Sequence, residues 1–200
     1  GTPKESIWYN QRIEQYIEGL KSFFKYYDIL KKNNVKVVIF DNTLESKDKI
    51  HDEILSVIPE GVTIKASHAN TYGKINKGAG LIESWIHNID EIKGFDYLIH
   101  FEPRQILNSF NFINNFLDDN RTIFTFNVNP HAPKHFNTGL FTIKLELLIK
   151  FIDRFAPDKL NGRSIEHLFY WFFKNNNLEF DTLDKMDLFW FPTWGGRKHW

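Results

Sequence analysis

The chain has 200 residues, which suits one domain, and its 25 Lys and Arg side chains are balanced by 25 Asp and Glu side chains. This balance argues against a protein that binds nucleic acid mainly through a basic surface, and the absence of cysteine excludes disulfides, thiolate metal sites and a cysteine nucleophile. No apolar run reaches the length of a membrane span and no signal-peptide pattern is present, so we expect a cytoplasmic protein.

The first half of the sequence alternates predicted helices with predicted strands. Apolar residues at helical spacing predict a helix over Arg12–Lys31, and the β-branched run VKVVIF predicts a strand over Val35–Phe40 that is covered on both faces. The next predicted elements are a helix over Asp48–Ile58, a strand over Val62–Ala66, a helix over Leu81–Ile89 and a strand that ends within DYLIHFEPR, Asp96–Arg104.

The second half is less regular. Its predicted elements are a helix over Gln105–Leu117, strands over Thr122–Val128 and Leu140–Ile143, a helix over Leu145–Phe155, a helix that begins at Ser164 and a last strand within Phe180–Phe191. The alternation predicts a single-domain α/β fold. We expect a mostly parallel central sheet flanked by helices, with an antiparallel edge in the second half.

The segment DYLIHFEPR places three polar side chains at the end of an apolar strand. His100, Glu102 and Arg104 alternate with Phe101 and Pro103, so on an extended backbone they point to one side. Ligands of open α/β sheets bind outside the carboxyl ends of the strands, which makes this cluster a candidate site. The alternative is a strand end with solvated charges.

A second candidate lies in VVIFDNTL, where an apolar strand ends at Asp41. The pattern partly resembles the haloacid dehalogenase motif, but position 43 is Thr43 and the second carboxylate of that motif is missing. Asp41, with Asn42 beside it, can instead accept hydrogen bonds from a nucleobase or a ribose. The structural alternative is a turn in which the Asp41 side chain closes the strand.

A polar loop over Asn70–Gly80 contains three glycines and the cations Lys74 and Lys77, and it precedes a predicted helix. Glycine lets the backbone approach a ligand closely, and helix N-termini attract phosphate. The loop matches neither the P-loop pattern nor GxGxxG. A flexible exposed loop is the alternative reading.

Two further candidates lie late in the chain. Glu166 follows Ser164 at a predicted helix start, where Ser164 is expected to cap the helix and Glu166 has the position of a general base. The basic end, which includes Arg197, Lys198 and His199, could bind phosphate or a metal, and a disordered basic end is the alternative.

Taken in order, these segments resemble a GT-A-type glycosyltransferase, a nucleotide-sugar-binding α/β fold. In that family an early strand ends in an Asp that binds the nucleobase, as at Asp41. A central strand ends in Asp-x-Asp, where this sequence has His100-Phe101-Glu102. A strand that contains glycine lines the sugars, as at Gly139, and a carboxylate at a later helix start acts as the base, as at Glu166.

The resemblance implies a role for each candidate. Glu166 is expected to deprotonate the acceptor, and Glu102 and His199 are expected to hold Mn²⁺ or Mg²⁺, with metal-free catalysis as the alternative because Asp-x-Asp is altered. The residues expected to bind nucleotide or donor are Thr2, Pro3, Asp41, Asn42, Asn70, Lys74, Lys77, His100, Phe101, Arg104, Gly139, Arg197 and Lys198. Thr2 and Pro3 are included because the first strand of a GT-A fold is either absent ahead of Arg12 or very short, and they would follow it.

The implied reaction transfers a hexose from a nucleotide-diphosphate donor to a hydroxyl of a glycan or lipid-linked acceptor, by inverting displacement, in surface polysaccharide biosynthesis. Residues 1–104 would form the nucleotide-binding half and residues 105–200 the acceptor half. We expect no nucleic acid partner, and the inner face of the membrane is an alternative location. The competing functions are a non-catalytic GT-A-like or Rossmann-like module that binds carbohydrate or protein, and another nucleotide-dependent transferase such as a nucleotidyltransferase.

Overall fold

Helices and strands alternate along most of the chain. The structure is a computed structural model, and it describes residues 7–126, 135–160, 162–185, 187–190 and 198–199. The helices are α1 (Ile7–Phe24), α2 (Tyr27–Lys32), α3 (Asp52–Leu55), α4 (Lys77–His87), α5 (Ile89–Ile92), α6 (Asn111–Asp118), α7 (Leu145–Arg154) and α8 (Ile165–Asn175). The strands are β1 (Val38–Asp41), β2 (Thr63–Ala66), β3 (Tyr97–Phe101), β4 (Ile106–Leu107), β5 (Ile123–Thr125), β6 (Leu140–Lys144), β7 (Asp181–Leu183), β8 (Leu188–Trp190) and β9 (Lys198–His199).

Within the described residues the strands form three sheets. β1 and β2 pair in parallel, from Val38 opposite Thr63 to Asp41 opposite Ala66. A four-stranded sheet has the order β3-β6-β5-β7, in which β6 is antiparallel to β3 and β5 while β5 and β7 are parallel. The antiparallel component of the second half is confirmed. The prediction of one mostly parallel sheet is wrong for the described strands, because β6 enters the larger sheet in the reverse direction.

Alternation along the strands divides the apolar residues between two cores. Phe124 of β5 and Phe141 of β6 belong to the first core, together with residues of α4, α7 and α8. Ile123 and Leu140, one position away on the same strands, belong to the second core, together with α2 and α6. Successive side chains point to opposite faces of a sheet, so helices cover both faces and the architecture is α/β/α.

Aromatic rings dominate the first core. The rings of Phe124 and Phe136 stack with centroids 4.1 Å apart, and those of Phe151 and Phe169 stack at 4.0 Å. Trp85 of α4 lies edge-on to Phe141 at 6.2 Å. The high phenylalanine content of the sequence therefore serves the interior, where a ring buries a large apolar area.

The helix predicted over Gln105–Leu117 begins later than expected. Ile106 and Leu107 instead form β4, which pairs antiparallel with β8, and α6 starts at Asn111. The Leu107 N–H donates to the Ser22 hydroxyl of α1 at 2.8 Å, and the Asn108 N–H donates to the Asp187 carbonyl at 2.8 Å. These partners are distant in the sequence, so local periodicity could not reveal them.

Other boundaries shift for identifiable reasons. The helix predicted over Asp48–Ile58 is a 3₁₀ turn followed by the short α3. The strand predicted within Phe180–Phe191 is two strands in different sheets, β7 and β8, separated by Asp187 in a left-handed conformation with φ of 54°. α4 starts at Lys77 rather than Leu81, because the Asn76 side chain caps it by accepting from the Gly78 and Ala79 N–H groups.

Helix α1 packs directly on the backbone that follows β3. A Cβ atom at Gly19 would lie 2.1 Å from the Pro103 carbonyl oxygen and 2.5 Å from that of Gln105. The Ser22 hydroxyl donates to the Gly19 carbonyl at 2.6 Å, besides accepting from Leu107. The glycine thus lets α1 hold the segment that carries Glu102 and Arg104.

Candidate active site at the ends of β1 and β3

One cavity of about 1000 Å³ runs along β1 and β3 and includes their carboxyl ends. It is the place where the sequence predicted a site. The predicted residues that line it are Asn42, Asn70, Lys77, His100, Phe101, Glu102, Arg104 and Glu166. These side chains come from segments far apart in the sequence, and the fold brings them to one concave surface.

Glu102 and Arg104 form an ion pair at the centre of this surface. A guanidinium nitrogen of Arg104 lies 2.5 Å from a Glu102 carboxylate oxygen, and the two side chains are 15% and 32% exposed. Burial lowers the pKa of Arg104, but the negative charge of Glu102, the nearby Tyr16 and the hydrogen bond to Glu102 together outweigh burial and raise that pKa. The carboxylate charge is therefore already matched by a fixed cation.

The position of this pair is fixed by the backbone. The Glu102 N–H donates to the Gly139 carbonyl at 2.8 Å, and the Gly139 N–H donates to the Asn137 side-chain oxygen at 2.8 Å. Gln105, which is buried, donates from its side chain to Glu102 at 3.4 Å. Gly139, predicted as donor-binding, is placed here as a structural link between β6 and Glu102.

His100 is packed among aromatic rings. Its imidazole stacks on Phe141 with centroids 4.9 Å apart and lies edge-on to Trp85 at 5.7 Å. Burial lowers the pKa of His100 to about 4 and outweighs the nearby charge of Glu102, which raises that pKa. The imidazole is neutral at physiological pH, so it lines the cavity as a polar ring without charge.

Phe101 points to the other side of β3. Its ring stacks on Phe23 of α1 with centroids 5.0 Å apart and an interplanar angle of 14°. Phe101 packs against the second core, although it also lines the cavity. The contact with α1 accounts for this side chain without a ligand.

Tyr16 of α1 lies near the charged residues of the site, although it is not among the residues that line the cavity, and sequence reasoning did not single it out. Burial raises the pKa of the Tyr16 hydroxyl, Arg104 lowers it, and Glu102 and Asp41 raise it further, so these charges all lie near the phenol. In the sequence, Tyr16 has helical spacing with Leu20, which predicted a core residue. The hydroxyl of a buried tyrosine needs a polar partner, and this requirement could have indicated that Tyr16 lies near polar groups.

The Asp41 side chain stabilises a turn at the end of β1. One oxygen of its carboxylate accepts from the Thr43 N–H at 2.7 Å, the Thr43 hydroxyl at 2.7 Å and the Leu44 N–H at 3.1 Å. This is the structural alternative considered for the sequence, and it is confirmed. Asp41 is not among the residues that line the cavity, although its charge reaches Tyr16.

The amides of Asn42 and Asn70 hold the glycine-rich loop. Asn42 donates to the Gly80 carbonyl at 2.8 Å and to the Asn70 side-chain oxygen at 3.5 Å. Gly73 and Gly80 are so close that a Cβ on Gly80 would lie 2.6 Å from the Gly73 Cα. These contacts tie Asn70, Gly73 and Gly80 to one another and to Asn42, at the end of β1.

The two lysines of this loop, Lys74 and Lys77, differ in their position relative to the cavity. Both lysines are exposed, but Lys77 is the first residue of α4 and lines the cavity, whereas Lys74 is not among the lining residues. The N-terminus of α4 follows Asn76 directly, which places Lys77 at the positive end of the helix dipole. Of the two lysines of this loop, Lys77 is the one that can contribute charge to this cavity.

Glu166 lies in the first turn of α8 and faces the same cavity. Ser164 caps the helix by accepting from the His167 N–H, as predicted. A Glu166 carboxylate oxygen accepts from the Thr138 hydroxyl at 3.3 Å, which orients the carboxylate. Thr138 also lines the cavity and was not predicted as a site residue.

The predicted metal pair is only partly described. Glu102 is bound to Arg104, and no group of three His, Asp or Glu side chains within the described ranges could hold a metal ion. Lys198 and His199 form β9, but their side chains lie outside the described part, as do Thr2, Pro3 and Arg197 entirely. Of the two residues predicted to hold the metal, only Glu102 has a described side chain, and its carboxylate is paired with Arg104.

No protein-family model matches the chain, and no curated protein matches it. None of the helices in the described ranges combines the length and the apolarity needed to cross a membrane.

Proposed function

We propose that this chain is a glycosyltransferase domain that moves a sugar from a nucleotide-diphosphate donor to a hydroxyl acceptor. The observation that supports the proposal is the shared cavity, in which an oriented carboxylate, Glu166, faces the same space as the cation Arg104. A base and a fixed cation are the groups that displacement of a phosphate leaving group needs.

The donor diphosphate is assigned to the end of β3. Arg104 presents a planar guanidinium that can bind phosphate oxygens through two parallel hydrogen bonds. Lys77, at the start of α4, adds a second positive charge on the same cavity. Because Glu102 holds Arg104, the guanidinium needs little reorganisation when charge develops on the leaving group.

The acceptor hydroxyl is assigned to Glu166. The carboxylate takes the hydroxyl proton while the hydroxyl oxygen forms a bond to the anomeric carbon. The bond from that carbon to the phosphate oxygen breaks, and its electron pair leaves with the nucleotide diphosphate. Thr138 holds the carboxylate in position without removing its second oxygen from use.

The decisive experiment compares Glu166→Gln with Glu179→Gln, a control at an exposed position. We expect sugar transfer from UDP- or GDP-sugars to fall at least about 100-fold in Glu166→Gln, since general bases contribute at least that factor. Nucleotide affinity should stay within about twofold of the native protein in both variants. Unchanged turnover in Glu166→Gln would remove this residue from the role.

A second comparison tests the phosphate site. Arg104→Gln should weaken nucleotide diphosphate binding by roughly 10- to 100-fold, the loss of a charged hydrogen bond, whereas Arg163→Gln should not. The double variant Glu102→Gln/Arg104→Gln removes the unpaired carboxylate and should bind as weakly as Arg104→Gln. Release of pyrophosphate with nucleotidyl transfer would identify a nucleotidyltransferase, and carbohydrate binding without turnover would identify a non-catalytic module.

A further inference from the structure

The middle layer of the fold contains a gap between β1 and β3. β1 is paired along one edge, to β2, and β3 is paired along one edge, to β6. The cavity of about 1000 Å³ touches every residue of 35–40 and of 95–104. Because successive side chains of a strand point to opposite faces, a cavity that touches consecutive residues lies along the strand edges and not on a face.

β1 and β3 lie in the same layer and run in the same direction. Phe40 and Leu98 pack against the first core, while Val37 and Ile99 pack against the second, so the same two helical layers cover both strands. At the amino ends, the Lys36 ammonium lies 5.8 Å from the ring centroid of Phe95. At the carboxyl ends, residues 42 and 102 both line the cavity.

The backbone of β1 turns hydrogen-bonding groups into this gap. The Ser67 N–H donates to the Asp41 carbonyl at 2.8 Å, so odd-numbered residues of β1 bond to β2. Backbone groups alternate in direction along a strand. The N–H and C=O groups of Val38 and Phe40 therefore point away from β2, toward β3.

The backbone of β3 does the same from the opposite side. The Glu102 N–H donates to the Gly139 carbonyl at 2.8 Å, so even-numbered residues of β3 bond to β6. The N–H and C=O groups of Tyr97, Ile99 and Phe101 point toward β1. In the described ranges no backbone partner pairs with this edge of either strand.

The sequence of both strands suits an interior position. Free edges of natural sheets are usually protected by charges, prolines or bulges, whereas β1 and β3 read VIF and YLI. Continuous apolar runs are typical of strands covered on both faces and paired on both edges. Phe23 of α1 and Trp85 of α4 face the gap from the two helical layers, so its walls are apolar.

We infer that the gap receives one further β-strand of the same polypeptide, parallel to β1 and β3 and placed ahead of α1 in chain order. A single strand can bond to both edges at once, because neighbouring strands lie about 4.8 Å apart. It would join the two-stranded and four-stranded sheets into one. Its residues are apolar toward both faces, to match the two cores.

The connection explains why the strand belongs to the same chain. α1 and α2 lead directly into β1, so a parallel strand ahead of α1 completes a strand–helix–strand unit with the usual right-handed crossover. The carboxyl end of that strand emerges beside Asn42 and Glu102, at the candidate active site. The inference rests on strand pairing and holds whether or not the proposed reaction is correct.

Hydrogen exchange of the 200-residue chain is the first test. We expect the amides of Val38, Tyr97 and Ile99 to exchange at least about tenfold faster than those of Ile39 and Leu98 on the same strands, since the first set lacks a backbone partner. Equal protection of the two sets would show that the edges are already closed in solution, and would overturn the inference.

A chain extension is the second test. Strands of five and of seven Val, Ile and Thr residues are joined ahead of Gly1, and a matched control carries Pro at the third added position. At least one extension should slow exchange at Val38, Tyr97 and Ile99 about tenfold and raise Tm by about 4 °C or more, and the control should do neither. Failure of both extensions overturns the inference. The same strand sequence can also be added as a separate peptide at equimolar concentration. If this peptide protects the amides of Val38, Tyr97 and Ile99 as well as the extension does, the assignment of the strand to the same chain is overturned.

Discussion

Replacing Gly19 by Ala tests how the fold holds the candidate site. Alanine is the better helix former by about 1 kcal/mol, so at a helix position free of contacts the change would stabilise the protein. At Gly19 the new Cβ would lie 2.1 Å from the Pro103 carbonyl oxygen, whereas ordinary contacts begin at 3.4 Å. The helix and the segment after β3 would have to separate by about 1.3 Å, the difference between 3.4 and 2.1 Å.

The cost of this separation exceeds the gain in helix propensity. Forcing a methyl group into a packed site costs about 1–3 kcal/mol. The hydrogen bond from the Leu107 N–H to the Ser22 hydroxyl, 2.8 Å long and buried, would break, at about 1–3 kcal/mol for the unpaired donor. After subtraction of the propensity gain, we expect the free energy of unfolding to fall by about 2 kcal/mol or more.

The assay is thermal unfolding of Gly19→Ala beside Gly94→Ala. Gly94 is exposed, and a Cβ there would meet nothing within 4 Å, so it controls for the gain of a methyl group. Gly19→Ala should lower Tm by about 4–8 °C, and Gly94→Ala should leave it within about 2 °C. Nucleotide diphosphate affinity should fall in the first variant alone, because Glu102 and Arg104 move with the segment. A Gly19→Ala protein as stable as the native one would refute the close packing of α1 on this segment.

Three further predictions concern titration, helix capping and metal dependence. The pKa of His100 is lowered to about 4 in the folded chain, below the usual value of 6.5, so its contribution to stability is complete above pH 6.5 and is lost as pH falls toward 4. The stability of His100→Gln between pH 7 and 4 should therefore depend less steeply on pH than that of the native protein, and an equally steep dependence would contradict this expectation. Asn76→Ala removes the cap of α4 and should cost about 1 kcal/mol, seen as a fall in Tm of about 2–4 °C. Because Arg104 already neutralises Glu102, nucleotide diphosphate affinity should be the same in EDTA and in Mn²⁺, and a tenfold gain with Mn²⁺ would contradict this expectation.

The sequence by itself located the strand ends that carry the site. Strands at the predicted positions of β1, β2, β3 and β6 are confirmed to within a few residues, because apolar runs bounded by polar turns have few other solutions. The alternation of His100, Glu102 and Arg104 also indicated a shared cluster, and all three line one cavity. Local chemistry was sufficient for these features.

Only the tertiary structure decided which polar residues face a ligand and which hold the fold. Asn42 and Asn70 look alike as candidates in the sequence, but their amides close the glycine-rich loop, and Asp41 caps its own turn. Tyr16, in turn, lies near Glu102 and Arg104, on a helix whose spacing predicted a core residue. Strand pairing was equally hidden, since the partners of β4 and the open edges of β1 and β3 depend on contacts between residues far apart in the chain. Hydrogen bonds and ion pairs form between groups that folding brings together, and no local pattern encodes those distances.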